Sequence, residues 1–215
     1  MTIQNNLIKL KSEIPSSVEL VAVSKTKSID VIMEAYNSGQ RIFGENRIQE
    51  MIQKYDSLPK DIEWHMIGHL QRNKIKYIAP FVSLIHGIDT LKLLYEINKQ
   101  ANKNKRIINC LLQVHIAKES TKYGFNHLEL EDVLIESKKM KNISIVGLMG
   151  MATFTSNKSL IDSEFKFLRS IYDGYKSTYS NFKILSMGMS GDYNTAISNG
   201  SNMIRVGSKI FGERI

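Results

Sequence analysis

Apolar residues in this chain gather into short, β-branched runs, and amphipathic stretches carrying charged and amide residues lie between them. Apolar runs of this length bounded by turn-forming residues read as buried strands. The pattern predicts strands over residues 19–25, 41–45, 63–67, 83–87, 108–116, 143–147, 183–187 and 203–206. Helical periodicity predicts a helix over 2–12, ahead of the first strand, and further helices over 28–38, 91–102, 128–139, 159–178 and 193–198. The three prolines, Pro15, Pro59 and Pro80, fall between elements, and no low-complexity linker divides the chain. Eight strands alternating with helices in 215 residues predict an α/β protein: one (β/α)₈ barrel domain over 1–215 with an extra N-terminal helix. A doubly wound open sheet is the alternative. Two features favour the barrel. No Gly-x-Gly-x-x-Gly follows the first strand, so the dinucleotide fingerprint is missing. Polar and glycine residues recur just past the strand ends, at Ser24-Lys25, Gly44-Glu45-Asn46, Gly68-His69, Gly87, His115, Gly147, Gly188-Met189-Ser190 and Gly207-Ser208. That is the face on which a barrel builds its active site.

Composition changes this picture little. A chain 42% hydrophobic and 23% charged is ordinary for a soluble domain. No apolar stretch is long enough for a bilayer, and the N-terminal residues lack the basic and apolar segments of a secretory signal. Cys110, the single cysteine, sits in an apolar run, which rules out an internal disulfide and a cysteine metal site. A cytoplasmic protein with no membrane partner is expected. The net charge of +8 invites a nucleic-acid reading. The lysines are scattered, however, and the clusters at 102–106 and 138–141 fall where helices end, where cations suit the helix dipole. With no aromatic–basic motif beside them, a solvated surface is expected, not a nucleic-acid interface.

The candidate chemistry lies at the strand ends. Lys25 terminates the first apolar run. A lysine there either snorkels to water or, partly desolvated, attacks a carbonyl to form a Schiff base. Glycines in Gly188-Met189-Ser190-Gly191-Asp192 and in Arg205-Val206-Gly207-Ser208 allow backbone N–H groups to approach an anion, with Ser190 or Asp192 available as a helix cap. Barrel phosphate sites commonly use these last two loops; tight turns alone are the plainer explanation. Arg205 lies within a strand and, if inside the barrel, must be paired, for example with Glu213 or Glu45. His65-x-x-x-His69 has metal-like spacing but crosses a strand end and has no evident third ligand, so no metal site is expected. Gly188-Met189-Ser190-Gly191 has its second glycine one residue too early for a nucleophile elbow.

Taken together, Ala22-Val23-Ser24-Lys25, Phe43-Gly44-Glu45-Asn46, the Trp64–Gln71 segment with Asn73-Lys74, Leu185–Ser190, Arg205-Val206-Gly207 and Ile210-Phe211-Gly212 resemble the motifs of the pyridoxal-phosphate homeostasis (YggS/PROSC-like) family, in order and over nearly the whole chain. The resemblance implies a barrel like the N-terminal domain of alanine racemase. It implies pyridoxal 5′-phosphate (PLP) held as an internal aldimine on Lys25, with Ser190, Gly207 and Ser208 on the phosphate. Arg205 would face the pyridine nitrogen, and Asn46 and His65 would line the ring pocket. This sequence departs from the usual pattern at Arg47, His115 and Asn202, none of them a lysine, serine or glycine position of the site.

The function this implies is to hold, buffer or deliver PLP in vitamin B6 homeostasis, with no catalytic residues of its own. Apo PLP-dependent enzymes would be the recipients, and the protein would be a monomer. A PLP-dependent racemase or decarboxylase is the alternative. A racemase of this fold takes its second base from an additional C-terminal domain, for which the sequence leaves no room after Ile215. An aldolase using Lys25 on a sugar phosphate is a further rival, separable by the mass of a borohydride adduct.

Overall fold

The computed structural model describes residues 2–119 and 121–213. Eight strands alternate with helices in chain order: α1 (Ile3–Glu13), β1 (Glu19–Val23), α2 (Ile29–Asn37), β2 (Ile42–Glu45), α3 (Ile48–Ser57), β3 (Glu63–Met66), α4 (Ile75–Ile78), β4 (Leu84–Ile88), α5 (Leu91–Lys103), β5 (Ile108–Gln113), α6 (Leu130–Ser137), β6 (Ile143–Met149), α7 (Lys158–Lys176), β7 (Ile184–Met189), α8 (Tyr193–Ser198), β8 (Met203–Val206) and α9 (Ser208–Phe211). The strands close into a barrel in sequence order, every neighbouring pair parallel, with β8 returning to β1 in the register Val21–Arg205. This is the expected barrel, with α1 as its extra N-terminal helix.

Alternation along each strand separates two apolar layers. Val21, Leu84, Leu111, Met149 and Met203 point inward and pack on one another. Their sequence neighbours, among them Leu20, Ala22, Ile85, Leu112 and Ile204, face the helices in the larger cluster. Helix starts follow the capping residues: Ser28, Thr90 and Asn157 accept the N–H three residues on, and Asn126 with Glu129 forms a reciprocal capping box.

Two predicted strands end early by two residues or more. β1 stops at Val23, because Lys27 N–H turns back to the Ser24 carbonyl at 3.0 Å; β5 stops at Gln113. Three helices, α3, α4 and α9, were not marked by the hydrophobic pattern. α4 and α9 have four residues each, and α3 places Lys54 among its buried positions beside Ile48 and Met51, which blurs its apolar face.

Candidate functional site

Along β3, β4, β7 and β8, parity decides what enters the barrel. Counting inward residues in steps of two carries β3 to His65, β4 from Leu84 to His86, β7 from Ile184 to Ser186, and β8 from Met203 to Arg205. These four side chains form one hydrogen-bonded row across the interior. Arg205 Nη1 donates to Ser186 Oγ at 2.5 Å, Ser186 Oγ lies 3.1 Å from His86 Nδ1, and His86 Nε2 lies 3.1 Å from His65 Nδ1. Arg205 Nη2 also donates to the Gly150 carbonyl at 3.2 Å. Guanidinium only donates, so a hydroxyl proton pointing to His86 Nδ1 and an N–H from His86 Nε2 to His65 Nδ1 satisfy every member in one direction. Burial enforces neutral rings. It pushes His65 down to about 3, and it holds His86 well below its ordinary range with His65 and Arg205 adding to the effect. The same burial brings Arg205 down to about 10, against the pull of Asp192.

The carboxylate partners considered for Arg205 are therefore not its contacts. Glu45 has the opposite parity to Gly44 and Asn46 and faces α3, where Lys54 Nζ meets its Oε1 at 2.8 Å; Glu213 is exposed. Burial raises the Glu45 carboxyl despite Lys54 and Ser24, and its Oε2 has no hydrogen-bond partner among the described residues.

The remaining sequence candidates lie at the C-terminal ends of β1, β2, β7 and β8. Lys25 is half-buried two residues past β1, and Asn46 is half-buried one residue past β2. Ser190 Oγ accepts the Gly207 N–H at 3.2 Å, joining the loops after β7 and β8. Asp192 precedes α8 but makes no side-chain cap bond to it; its Oδ1 accepts the Met189 N–H at 2.6 Å and closes the loop. Ser208 opens α9, whose first N–H groups have no acceptor within the helix. Gly188, at φ +98°, lets α8 press onto β7: a Cβ there would stand 2.6 Å from Ala196 Cβ and 2.9 Å from Tyr193 Cα.

The departures from the family pattern have separate environments. Arg47 is exposed at the start of α3, and His115 Nε2 lies 3.0 Å from the Glu119 carbonyl within its own loop. Asn202 ties the opposite, N-terminal ends of β7 and β8 together by accepting from Leu185 N–H and donating to the Lys183 carbonyl. His69 does not join His65; its Nδ1 lies 3.1 Å from Asp89 Oδ2 and its ring stacks on Tyr123. Among the described residues no group of three His, Cys, Asp or Glu is placed to hold a metal. Nor is any described helix long and apolar enough to cross a membrane.

Sequence reasoning missed His86 and Ser186. The available signal was a polar residue at inward parity in an otherwise apolar strand, two positions beyond Leu84 and Ile184.

The chain matches the family described as alanine racemase, N-terminal domain, over residues 1–215. A protein of Aquifex aeolicus named pyridoxal phosphate homeostasis protein is 38% identical over 198 residues, spanning 91% of this chain and 87% of that one. Among solved structures, PipY of Synechococcus elongatus PCC7942 with PLP bound superposes with a TM-score of 0.90 at 34% identity, covering 98% of this chain and 100% of that chain. Alanine racemase of Clostridium difficile 630 shares the fold, with a TM-score of 0.82 at 13% identity, over 99% of this chain and 56% of that one.

Proposed function

We propose that this chain, which belongs to the pyridoxal phosphate homeostasis protein family, binds PLP at the C-terminal mouth of its barrel and holds it for delivery. The observation that carries this reading is the placement of Lys25, Asn46, Ser190, Gly207 and Ser208 at the strand ends on one barrel face, with His65 and Arg205 on the inward row. The donor set fits a phosphorylated pyridine aldehyde. The Ser190 and Ser208 hydroxyls and the backbone N–H groups at the start of α9 suit the phosphate, with Gly207 N–H free to turn from Ser190 Oγ to the anion. Arg205 suits a ring nitrogen that stays unprotonated, since a guanidinium can only donate to it. The Lys25 amine would condense with the aldehyde, releasing water and leaving a Schiff base that a competing amine can exchange. Asn46 and His65 would line the ring.

A holder is favoured over a racemase or decarboxylase by kinship: relatives 38% and 34% identical over 91% and 99% of this chain are named pyridoxal phosphate homeostasis proteins, whereas the alanine racemase match is 13% identical and shares the fold alone. The recipients would be apo PLP-dependent enzymes, and the protein would act as a monomer.

The test is the visible spectrum of the protein with PLP, before and after borohydride, in wild type and Lys25→Ala. A reducible band, a pyridoxyl mass on Lys25 and loss of both in the variant are expected. A band that survives loss of Lys25 would overturn the assignment of the lysine. Incubating the loaded protein with amino acids in D₂O separates holder from enzyme: α-proton exchange no faster than with free PLP is expected, and faster exchange would establish the racemase-type alternative.

A further inference from the structure

The turn that carries Lys25 is held from outside. Ser24 N–H still continues the β1–β2 ladder by donating to the Gly44 carbonyl at 3.1 Å, but Thr26, two residues on, has φ +65°. A β-branched residue in the left-handed region is strained, and such a conformation persists only where its surroundings impose it. Here the surroundings are a buried ionic cluster on the outer side of β2. Lys54 of α3, its side chain 5% exposed, donates to the Ser24 carbonyl at 2.8 Å, to Glu45 Oε1 at 2.8 Å and to Glu50 Oε1 at 2.6 Å. The same Glu50 oxygen accepts the Thr26 N–H at 2.5 Å, and the Ser24 hydroxyl donates to Glu45 Oε1 at 2.5 Å.

The covalent positions of these contacts give them their meaning. The Ser24 carbonyl belongs to the peptide unit before Lys25, and the Thr26 N–H belongs to the unit after it. Each peptide unit is a rigid plane, so fixing both planes fixes φ and ψ of the residue between them. One lysine–glutamate pair, Lys54 with Glu50, therefore grips the backbone on both sides of Lys25. A buried ion pair is a poor way to stabilise a fold, because desolvation offsets most of its attraction; specifying one geometry is its better-attested use.

We propose that Lys54 and Glu50 are positioning residues for Lys25, locking its backbone so that the amine meets the cofactor aldehyde in one direction and at a rate the turn alone does not provide. Both act through the peptide units that flank Lys25. The inference rests on the reading that Lys25 carries PLP, and it names what makes that lysine competent.

The test combines rapid-mixing measurement of PLP capture, followed by the absorbance of the Schiff base, with hydrogen exchange at the Thr26 amide. Glu50→Ala and Lys54→Met are compared with Glu50→Gln, whose amide oxygen still accepts from Thr26, and with Val133→Ala, a buried truncation on α6. Glu50→Ala and Lys54→Met should slow capture by about tenfold or more and speed Thr26 exchange, with Glu50→Gln recovering most of both. Val133→Ala should lower the melting temperature while leaving capture and exchange unchanged. Folded Glu50→Ala protein that captures PLP within about twofold of the wild-type rate would overturn the proposal, as would equal slowing by Val133→Ala. If Lys54→Met fails to fold, Glu50→Ala decides by itself, since its side chain is 21% exposed and its loss leaves the Lys54–Glu45 pair in place. A wild-type protein that captures no PLP on Lys25 would overturn the functional reading instead, and Thr26 exchange would then decide the backbone clamp.

Discussion

His65 and His86 make the stability of this protein depend on mild acid. The unfolded chain takes up a proton on each imidazole near pH 6.5, whereas burial delays protonation of His65 in the folded state to about 3 and holds His86 well below its ordinary range. Between these limits the unfolded state binds more protons, so stability is complete above about pH 6.5 and is lost as the pH falls. Each histidine should contribute a slope of about 1.4 kcal/mol per pH unit. Urea unfolding should therefore show stability falling from pH 7 to 5, and falling less steeply in His65→Gln by up to about one proton; a flat wild-type profile would mean that the row is open to water. His65 was identifiable from its motif. His86 belongs to the same row but sits in a run read only as strand, and Ser186 sits in the 185–190 motif without a role of its own; a polar residue at inward parity was the available signal for both.

At the scale of the element, β6 shows how a single residue sets a register. Cys110 faces Ile145 and Leu111 faces Gly147, so Val146 is an extra residue in β6 relative to β5. The bulge turns the Val146 carbonyl to accept Lys183 N–H at 2.8 Å, and Gly147 adopts φ +153°. A Cβ at Gly147 would stand 1.8 Å from the Ile184 carbonyl oxygen, a backbone atom with no freedom to move aside. Gly147→Ala should cost about 3 kcal/mol or more, read as a lower melting temperature or loss of soluble protein. Wild-type stability in this variant would mean that β6 can shed its bulge. The strand itself was legible as an apolar run; the bulge was not, because a glycine closing a predicted strand reads equally well as the start of a loop. α3 was missed for a related reason: Lys54 on its inner face breaks the apolar stripe, and only the carboxylates of Glu45 and Glu50 explain a cation there.

Across the whole molecule, the N-terminal helix braces the β7–β8 side of the barrel mouth. α1 packs against α2 and α9 through buried Leu7 and Leu10; Asn6 Nδ2 donates to the Ile210 carbonyl at 2.9 Å, and Tyr193 OH donates to Glu13 at 3.1 Å. Lys27, just past the Lys25 turn, donates to the Phe211 carbonyl at 3.2 Å and ties the same corner to β1. Leu7→Ala should cost about 2–5 kcal/mol through the cavity it leaves. Because α1 packs against α9, PLP affinity should fall as well, whereas Val133→Ala on α6 should lower stability with affinity kept. Equal affinities in the two variants would reduce α1 to a general brace.

Short-range pattern determined most of the architecture. Eight apolar runs, the helices between them and the glycines at their ends favoured a parallel barrel over an open sheet, because each is a local property legible along the chain; closure itself came with the pairing of β8 and β1. Lys25, Ser190, Arg205, Gly207 and Ser208 were singled out as candidates by their places in or just past strand ends, whereas Asn46 and His65 entered as ring-pocket candidates through the family resemblance. Only the tertiary structure decided their partners. Closing β8 onto β1 and β7 set Arg205 beside the Ser186 hydroxyl, not a carboxylate, and packing α3 behind β2 brought Lys54 and Glu50 to the peptide units around Lys25. These three contacts join residues 19, 24 and 30 positions apart, and the row's His86–Ser186 contact spans 100. Pairings at such separation are set by which faces meet when the barrel closes, and no local pattern in the chain encodes them.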